Sequence, residues 1–135
     1  MTAASCLELG QENATKQAMN DAQRRIEAAI RAEHLRVADM LRDDPQRVID
    51  YARGRMDKWG WSEALRSGRP APYMREWDAL LSGPPDALAA VLTASLSDER
   101  AIWLRSSSPF AGIIPPRERW AIRERARQEG AHEAR

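Results

Sequence analysis

The chain has 135 residues, with 21 basic and 20 acidic side chains and a formal net charge of +1. One domain of this length can bury a core, and the 43% share of hydrophobic residues argues against intrinsic disorder. The nearly balanced charge gives no overall attraction to nucleic acid or to an anionic membrane. Cys6 is the single cysteine, so an internal disulfide is excluded.

The N-terminal residues do not have the pattern of a targeting segment. Residues 1–9 lack the basic start and the apolar run of a signal peptide. No stretch reaches the ~20 apolar residues that a membrane-spanning helix needs. We therefore expect a cytoplasmic protein that makes no contact with the membrane.

The first part of the chain predicts one long helix. Residues 1–10 are expected to form a loose leader that ends at Gly10, and apolar side chains then recur at spacings of three and four over residues 11–42. At ~1.5 Å per residue this helix would reach about 45 Å, which exceeds the diameter of a compact domain of this size. We therefore expect the helix either to be broken or to project with its first half, and we place a partner-dependent arm over residues 1–22.

Shorter helices follow, separated by proline and glycine. Asp44 is the predicted N-cap and Pro45 the first residue of the second helix, which Gly60 ends. No segment alternates apolar and polar residues as a strand does. The predicted fold is all-α, a small bundle of six to seven helices with its domain over residues 23–129 and a frayed tail over residues 130–135. Further helices are predicted after the caps Ser62 and Ser97 and over residues 73–81, 86–96 (with Leu96 inward) and 117–128.

Residues 106–116 form an apolar connector that cannot be a regular helix. Pro109, Gly112 and Pro115 interrupt the helical pattern, whereas Phe110 and the neighbouring isoleucines favour burial. The connector is therefore expected either to be pinned into the helical core or to fill a groove of a partner.

No residue pattern indicates catalysis, a metal ion or a cofactor. His34 and His132 are the two histidines, and neither has a second ligand at a metal-binding spacing. Glycine-rich phosphate loops are also absent, and His34 would be the only candidate base of an enzyme. We interpret Glu33 and His34 as part of a solvated helix face and expect no enzymatic activity. A polar cavity with converging ionisable groups around His34 would contradict this interpretation.

Five tryptophans carry most of the aromatic surface, and two interpretations of them stay open. In the first, they form a single core together with Tyr73 and Phe110. In the second, Trp61 or Trp120 is exposed as the anchor of an interface. The five are Trp59, Trp61, Trp77, Trp103 and Trp120.

The last helix is the most basic segment of the chain. Its arginines alternate with glutamates, which is typical of a solvated helix face. The alternative is a surface that contacts phosphates, which would make the chain a DNA-binding transcriptional regulator. The candidate phosphate contacts are Arg117, Arg119, Arg123 and Arg127.

The sequence Ser-Pro-Phe-Ala-Gly-Ile-Ile-Pro-Pro-Arg-Glu-Arg-Trp lies within residues 107–120. Together with the long polar N-terminal helix and the Trp-rich body, it resembles small actinobacterial antitoxin-type proteins, which are encoded beside a toxin enzyme. This resemblance implies that the protein neutralises its partner by occluding the partner's active site with a projecting helix.

The leading hypothesis is a non-enzymatic interaction protein that binds a toxin enzyme. An apolar stripe of the long helix would lie in a groove of that partner. The long helix could also pair with its own copy, so a homo-oligomer is compatible with this hypothesis. The residues expected to contact the partner are Met19, Ile26, Ile30, Val37, Trp61 and Phe110.

Overall fold

The computed structural model describes the backbone of residues 3–133 and the side chains of residues 13–129. This part of the chain forms seven α-helices and no strand, which confirms the predicted all-α bundle with a long N-terminal helix. Within the same range, no helix combines the length and the apolar character needed to cross a membrane. The helices are α1 (Ala3–Asp43), α2 (Pro45–Lys58), α3 (Trp61–Ser67), α4 (Pro72–Ser82), α5 (Pro85–Thr93), α6 (Glu99–Ser106) and α7 (Pro116–Glu133).

Helix α1 is continuous, so the predicted leader is wrong for residues 3–10. Good helix formers dominate this sequence, and a single glycine inside a helix costs about 1 kcal/mol, so Gly10 does not end it. The 41 residues extend over about 60 Å. The side chains of residues 13–20 are all exposed, whereas those of Val37, Ala38 and Leu41 are buried. The first half of α1 therefore projects, and the bundle holds only its second half.

Of the three N-caps that the sequence predicts for the short helices, one is correct and two are wrong. Asp44 caps α2 as predicted, because its side chain accepts a hydrogen bond from the Arg47 backbone nitrogen at 3.2 Å. The predicted caps Ser62 and Ser97 are wrong. Gly60 precedes α3 with a left-handed φ of 81°, and Asp98 caps α6 by accepting from the Ala101 nitrogen at 3.0 Å. The hydroxyl of Ser97 bonds instead to that of Ser95, and the Asp98 carboxylate provides the stronger, charged acceptor.

Helix α5 ends at Thr93, before the predicted end at residue 96. Arg31 Nε and Arg105 Nη1 each donate a hydrogen bond of 2.8 Å to the Ala94 carbonyl, just past the helix. Cations that bond to these carbonyls stabilise a helix C-terminus, so they fix the end of α5 here. Leu96 lies beyond this end and is exposed, which corrects its predicted inward position.

Helix α7 packs along α1 and starts at Pro116, one residue before the predicted range of residues 117–128. It continues through Gly130 to Glu133, so the backbone of the first four residues of the predicted tail is helical. Residues 134–135 of the predicted tail lie outside the described residues.

The core forms around Trp77, which is completely buried. Its Nε1 donates a hydrogen bond to the Leu104 carbonyl at 3.1 Å, and the Phe110 ring meets its ring edge-on with centroids 5.7 Å apart. Phe110, Ile113 and Ile114 of the connector are all buried. The connector is therefore pinned into the core, which is the first of the two predicted alternatives.

The aromatic residues do not all share one core, contrary to the first interpretation. Trp61 is buried and packs against Tyr73 and Trp59, with ring centroids 5.3 Å apart in both pairs. Three tryptophans keep large exposed surfaces: Trp59 just past the end of α2, Trp103 on α6 and Trp120 on α7.

Candidate functional site

A polar cavity of about 190 Å³ lies beside the buried half of α1. Positions 30, 33, 34 and 37 share one face of α1 because they are three or four residues apart, and this face forms one wall. Helix α6, the connector and the first half of α7 form the other walls. We call this space the His34 cavity. Its polar lining comes from Glu33, His34, Arg105, Ser106, Ser108, Arg119 and Arg123.

The Glu33 carboxylate joins α1 to α7 at the cavity wall. Its Oε1 accepts hydrogen bonds from Arg119 Nε at 2.7 Å and from Arg123 Nε at 2.6 Å. The two arginines are four residues apart on α7, so both face α1. A buried carboxylate is tolerated when it is paired and hydrogen-bonded, and these two guanidinium groups provide that compensation.

His34 is buried, with 5% of its surface exposed, so its predicted position on a solvated face is wrong. Its Nδ1 lies 2.7 Å from the Ile30 carbonyl oxygen. Because a carbonyl can only accept, Nδ1 carries the proton and Nε2 of the neutral ring is an acceptor. Burial, with a smaller contribution from the Arg105 charge, lowers the pKa of His34 to about 4. The ring is therefore neutral at pH 7, and Nε2 has no hydrogen-bond partner among the described residues.

Arg105 is a buried cation without an ion-pair partner in the described part of the chain, and only 2% of its surface is exposed. Its Nη1 donates to the Val91 carbonyl at 3.1 Å and to the Ala94 carbonyl at 2.8 Å. Its Nη2 finds no acceptor there. Burial lowers the pKa of Arg105, because the charged form loses hydration.

Ionisable groups thus converge around His34, which is the arrangement that would contradict the non-enzymatic interpretation. Their properties nevertheless favour holding an anion over transferring a proton. The cavity combines three guanidinium groups with one carboxylate, so its net charge is positive. An efficient general base has a pKa near the working pH, whereas the pKa of His34 is about 4. The Glu33 carboxylate is already hydrogen-bonded to two arginines. Across the residues that the structure describes, no group of three or more His, Cys, Asp or Glu side chains could hold a metal ion.

The residues predicted to contact a partner fall into two groups. Met19 and Ile26 are 66% and 54% exposed, and Ile30 is partly buried. The others are core residues, which corrects their predicted availability to a partner. Val37 is buried because its face of α1 meets the bundle. Trp61 is buried where α3 packs on α4, and Phe110 is buried because the connector folds inward.

The arginines predicted to contact phosphates are mostly engaged within the chain. Arg119 and Arg123 bond to Glu33, and Arg127 lies 3.7 Å from Glu124. Arg117 is exposed at the start of α7. The nucleic-acid hypothesis stays a prediction. Two of its four candidate arginines are already hydrogen-bonded to the Glu33 carboxylate.

Sequence reasoning missed Glu33 and Arg105 as parts of a site. One signal was present for Glu33, because a charged residue at position 33 interrupts the apolar face that runs through Ile30 and Val37. No comparable signal marks Arg105, since its burial depends on where α5 ends.

Comparison with known proteins identifies no relative of this chain. No protein-family description, no curated protein and no solved structure matches it. Its function therefore has to be inferred from the His34 cavity and from the projecting half of α1.

Proposed function

We propose that the chain is a non-enzymatic interaction protein that binds a partner protein through the projecting half of α1. The contact surface would be the exposed α1 stripe, which we define as Met19, Ala22 and Ile26. All three side chains are exposed in the free chain. The partner would supply the apolar groove that covers them.

The observation that carries this proposal is the continuity of the stripe with the core face of α1. Met19 and Val37 are eighteen residues apart, about five helical turns, so both point to the same side of the helix. Ile26 lies on this side as well. At Val37 the face is buried in the bundle, and at Met19 it is 66% exposed. The apolar face that packs into the bundle at Val37 thus continues along α1 to Met19, where the bundle does not cover it.

We further propose that the partner is a toxin enzyme and that α1 occludes its active site. A projecting helix suits this role because it can enter a cleft that a compact bundle cannot reach. The resemblance of residues 107–120 and of the overall layout to antitoxin-type proteins supports the same assignment.

The test is co-expression of the full chain with the product of the neighbouring open reading frame. We expect the wild-type chain to capture that product and the M19D/I26D double variant to lose it, because two buried carboxylates would be left unpaired. The matched control is N13D/N20D, which adds two charges at exposed positions on another face of α1.

Equal capture by the two double variants would contradict the proposal, since the stripe would then not be the contact. A light-scattering mass of a dimer that M19D/I26D converts to a monomer would show instead that a second copy covers the stripe. Inhibition of the captured product in an activity assay would establish the neutralising role.

A further inference from the structure

The His34 cavity contains two buried nitrogens with opposite hydrogen-bonding requirements. Arg105 Nη2 can only donate, and His34 Nε2 can only accept while Nδ1 donates to the Ile30 carbonyl. Both side chains are more than nine-tenths buried, and neither nitrogen has a partner in the described part of the chain. Leaving buried polar atoms unpaired is costly, so their occurrence on two residues that line the same cavity, one from α1 and one from α6, needs an explanation.

The charge of the cavity identifies the sign of a fitting ligand. Arg119 and Arg123 share the single Glu33 carboxylate, and Arg105 bonds only to backbone carbonyls. Glu27 and Asp98 act on Arg105 electrostatically without a hydrogen bond, and Arg31 beside it adds another positive charge. A ligand that balances these groups is an anion.

The two unpaired nitrogens narrow the chemistry of that anion. Arg105 Nη2 requires a charged or carbonyl-like oxygen, and His34 Nε2 requires a hydroxyl that donates. Inorganic phosphate at neutral pH has both kinds of oxygen, as does a hydroxycarboxylate. Sulfate and acetate have the charge but no hydroxyl.

The size of the cavity limits the ligand to a few heavy atoms. About 190 Å³ corresponds to about six water molecules, which is below the range of ordinary cofactor pockets. The side chains of Arg119 and Arg123 are about two-fifths exposed, so they lie at the open side. The two unpaired nitrogens are themselves shielded from solvent, so a ligand reaches them only if neighbouring side chains shift.

We propose that the His34 cavity binds a small oxyanion that carries a hydroxyl, either inorganic phosphate or a hydroxycarboxylate. Arg105 and Arg119 hold the charged oxygens, and His34 Nε2 accepts from the hydroxyl. Glu33 competes with the anion for the guanidinium groups and so sets the affinity. This site is independent of the exposed α1 stripe.

Isothermal titration of the full chain at pH 7 with phosphate, sulfate, glycolate and acetate tests the proposal. Phosphate or glycolate is expected to bind once per chain, and the tighter of the two identifies the source of the oxyanion. Sulfate is expected to bind at least about tenfold more weakly than phosphate, and acetate more weakly than glycolate, because neither can donate to His34.

Substitutions locate the binding. R119Q should weaken it by about tenfold or more, whereas R125Q, which removes a charge from the exposed side of the same helix, should leave it unchanged. E33Q should tighten binding, because the competing negative charge is gone while an acceptor for both arginines remains. H34L should abolish the preference for phosphate over sulfate.

Several outcomes would overturn the proposal. They are no saturable binding of phosphate or glycolate up to about 20 mM, equal affinity for the tighter of these two anions and for its analogue without a hydroxyl, or equal losses in R119Q and R125Q. The wild-type comparison of the four anions decides the matter if H34L does not fold. Capture of a partner by the α1 stripe is measured separately and does not depend on this result.

Discussion

Gly112 shows how one residue holds the connector against α2. Its φ of 89° lies in the left-handed region that favours glycine, and a Cβ there would lie 2.6 Å from Arg55 Nη2 and 2.7 Å from the Tyr51 hydroxyl. Both of these side chains donate to the neighbouring Ala111 carbonyl, at 3.1 Å and 2.7 Å. Glycine is therefore needed both for the backbone conformation and for this close approach.

We expect G112A to lower the free energy of unfolding by about 1–3 kcal/mol, because the strained backbone and the displaced hydrogen bonds add their costs. The matched control is G54A in the interior of α2, where a Cβ would meet nothing within 4 Å. That variant should be neutral or more stable by up to about 1 kcal/mol, through higher helix propensity. Urea titration of both proteins measures the difference, and equal effects would contradict this account.

At the scale of elements, the start of α6 has two adjacent candidate N-cap residues, Ser97 and Asp98, and only one of them caps the helix. The Asp98 side chain accepts from the Ala101 nitrogen at 3.0 Å, whereas Ser97 bonds to Ser95 on the surface. We expect D98A to cost about 1 kcal/mol of stability and S97A to stay within about 0.5 kcal/mol. Thermal unfolding of the two variants decides which residue caps the helix, and a larger loss in S97A would show that the cap is misassigned.

At the scale of the whole molecule, the buried His34 makes stability depend on pH. The pKa of His34 is lowered to about 4 in the folded chain from 6.5 in the unfolded chain, because burial disfavours the imidazolium. Between these values the unfolded chain binds the extra proton, so stability falls as the pH falls. Arg105 and Glu33 act on the ring electrostatically, and Arg119 and Arg123 line the same cavity. The arginines keep their charge throughout this range.

We expect the free energy of unfolding to drop by up to about 3 kcal/mol between pH 6.5 and pH 4 through this histidine alone. Carboxylates also begin to titrate near pH 4, so the measurement is the difference between the wild-type chain and H34L over the same pH series. The difference should change through this window and level off below pH 4. Parallel pH profiles of the two proteins would rule out His34 as the origin.

Helix content and most helix positions followed from local patterns in the sequence. The Asp44–Pro45 start, the break at residues 82–85 and the non-helical connector each depend on backbone preferences that act within a few residues. The exposure of the early α1 residues was also predictable, because few apolar side chains occur there. Whether α1 broke or projected was not predictable, because that depends on what packs beside it.

The tertiary structure alone decided the environment of the charged residues. Glu33 and His34 look like a solvated helix face in the sequence, and they are buried because the connector and α7 fold over that face. Arg105 becomes a buried cation because the C-terminal carbonyls of α5 come to lie beside α6. Burial, charge balance and pKa depend on residues up to ninety positions apart along the chain, and no local pattern records such distances.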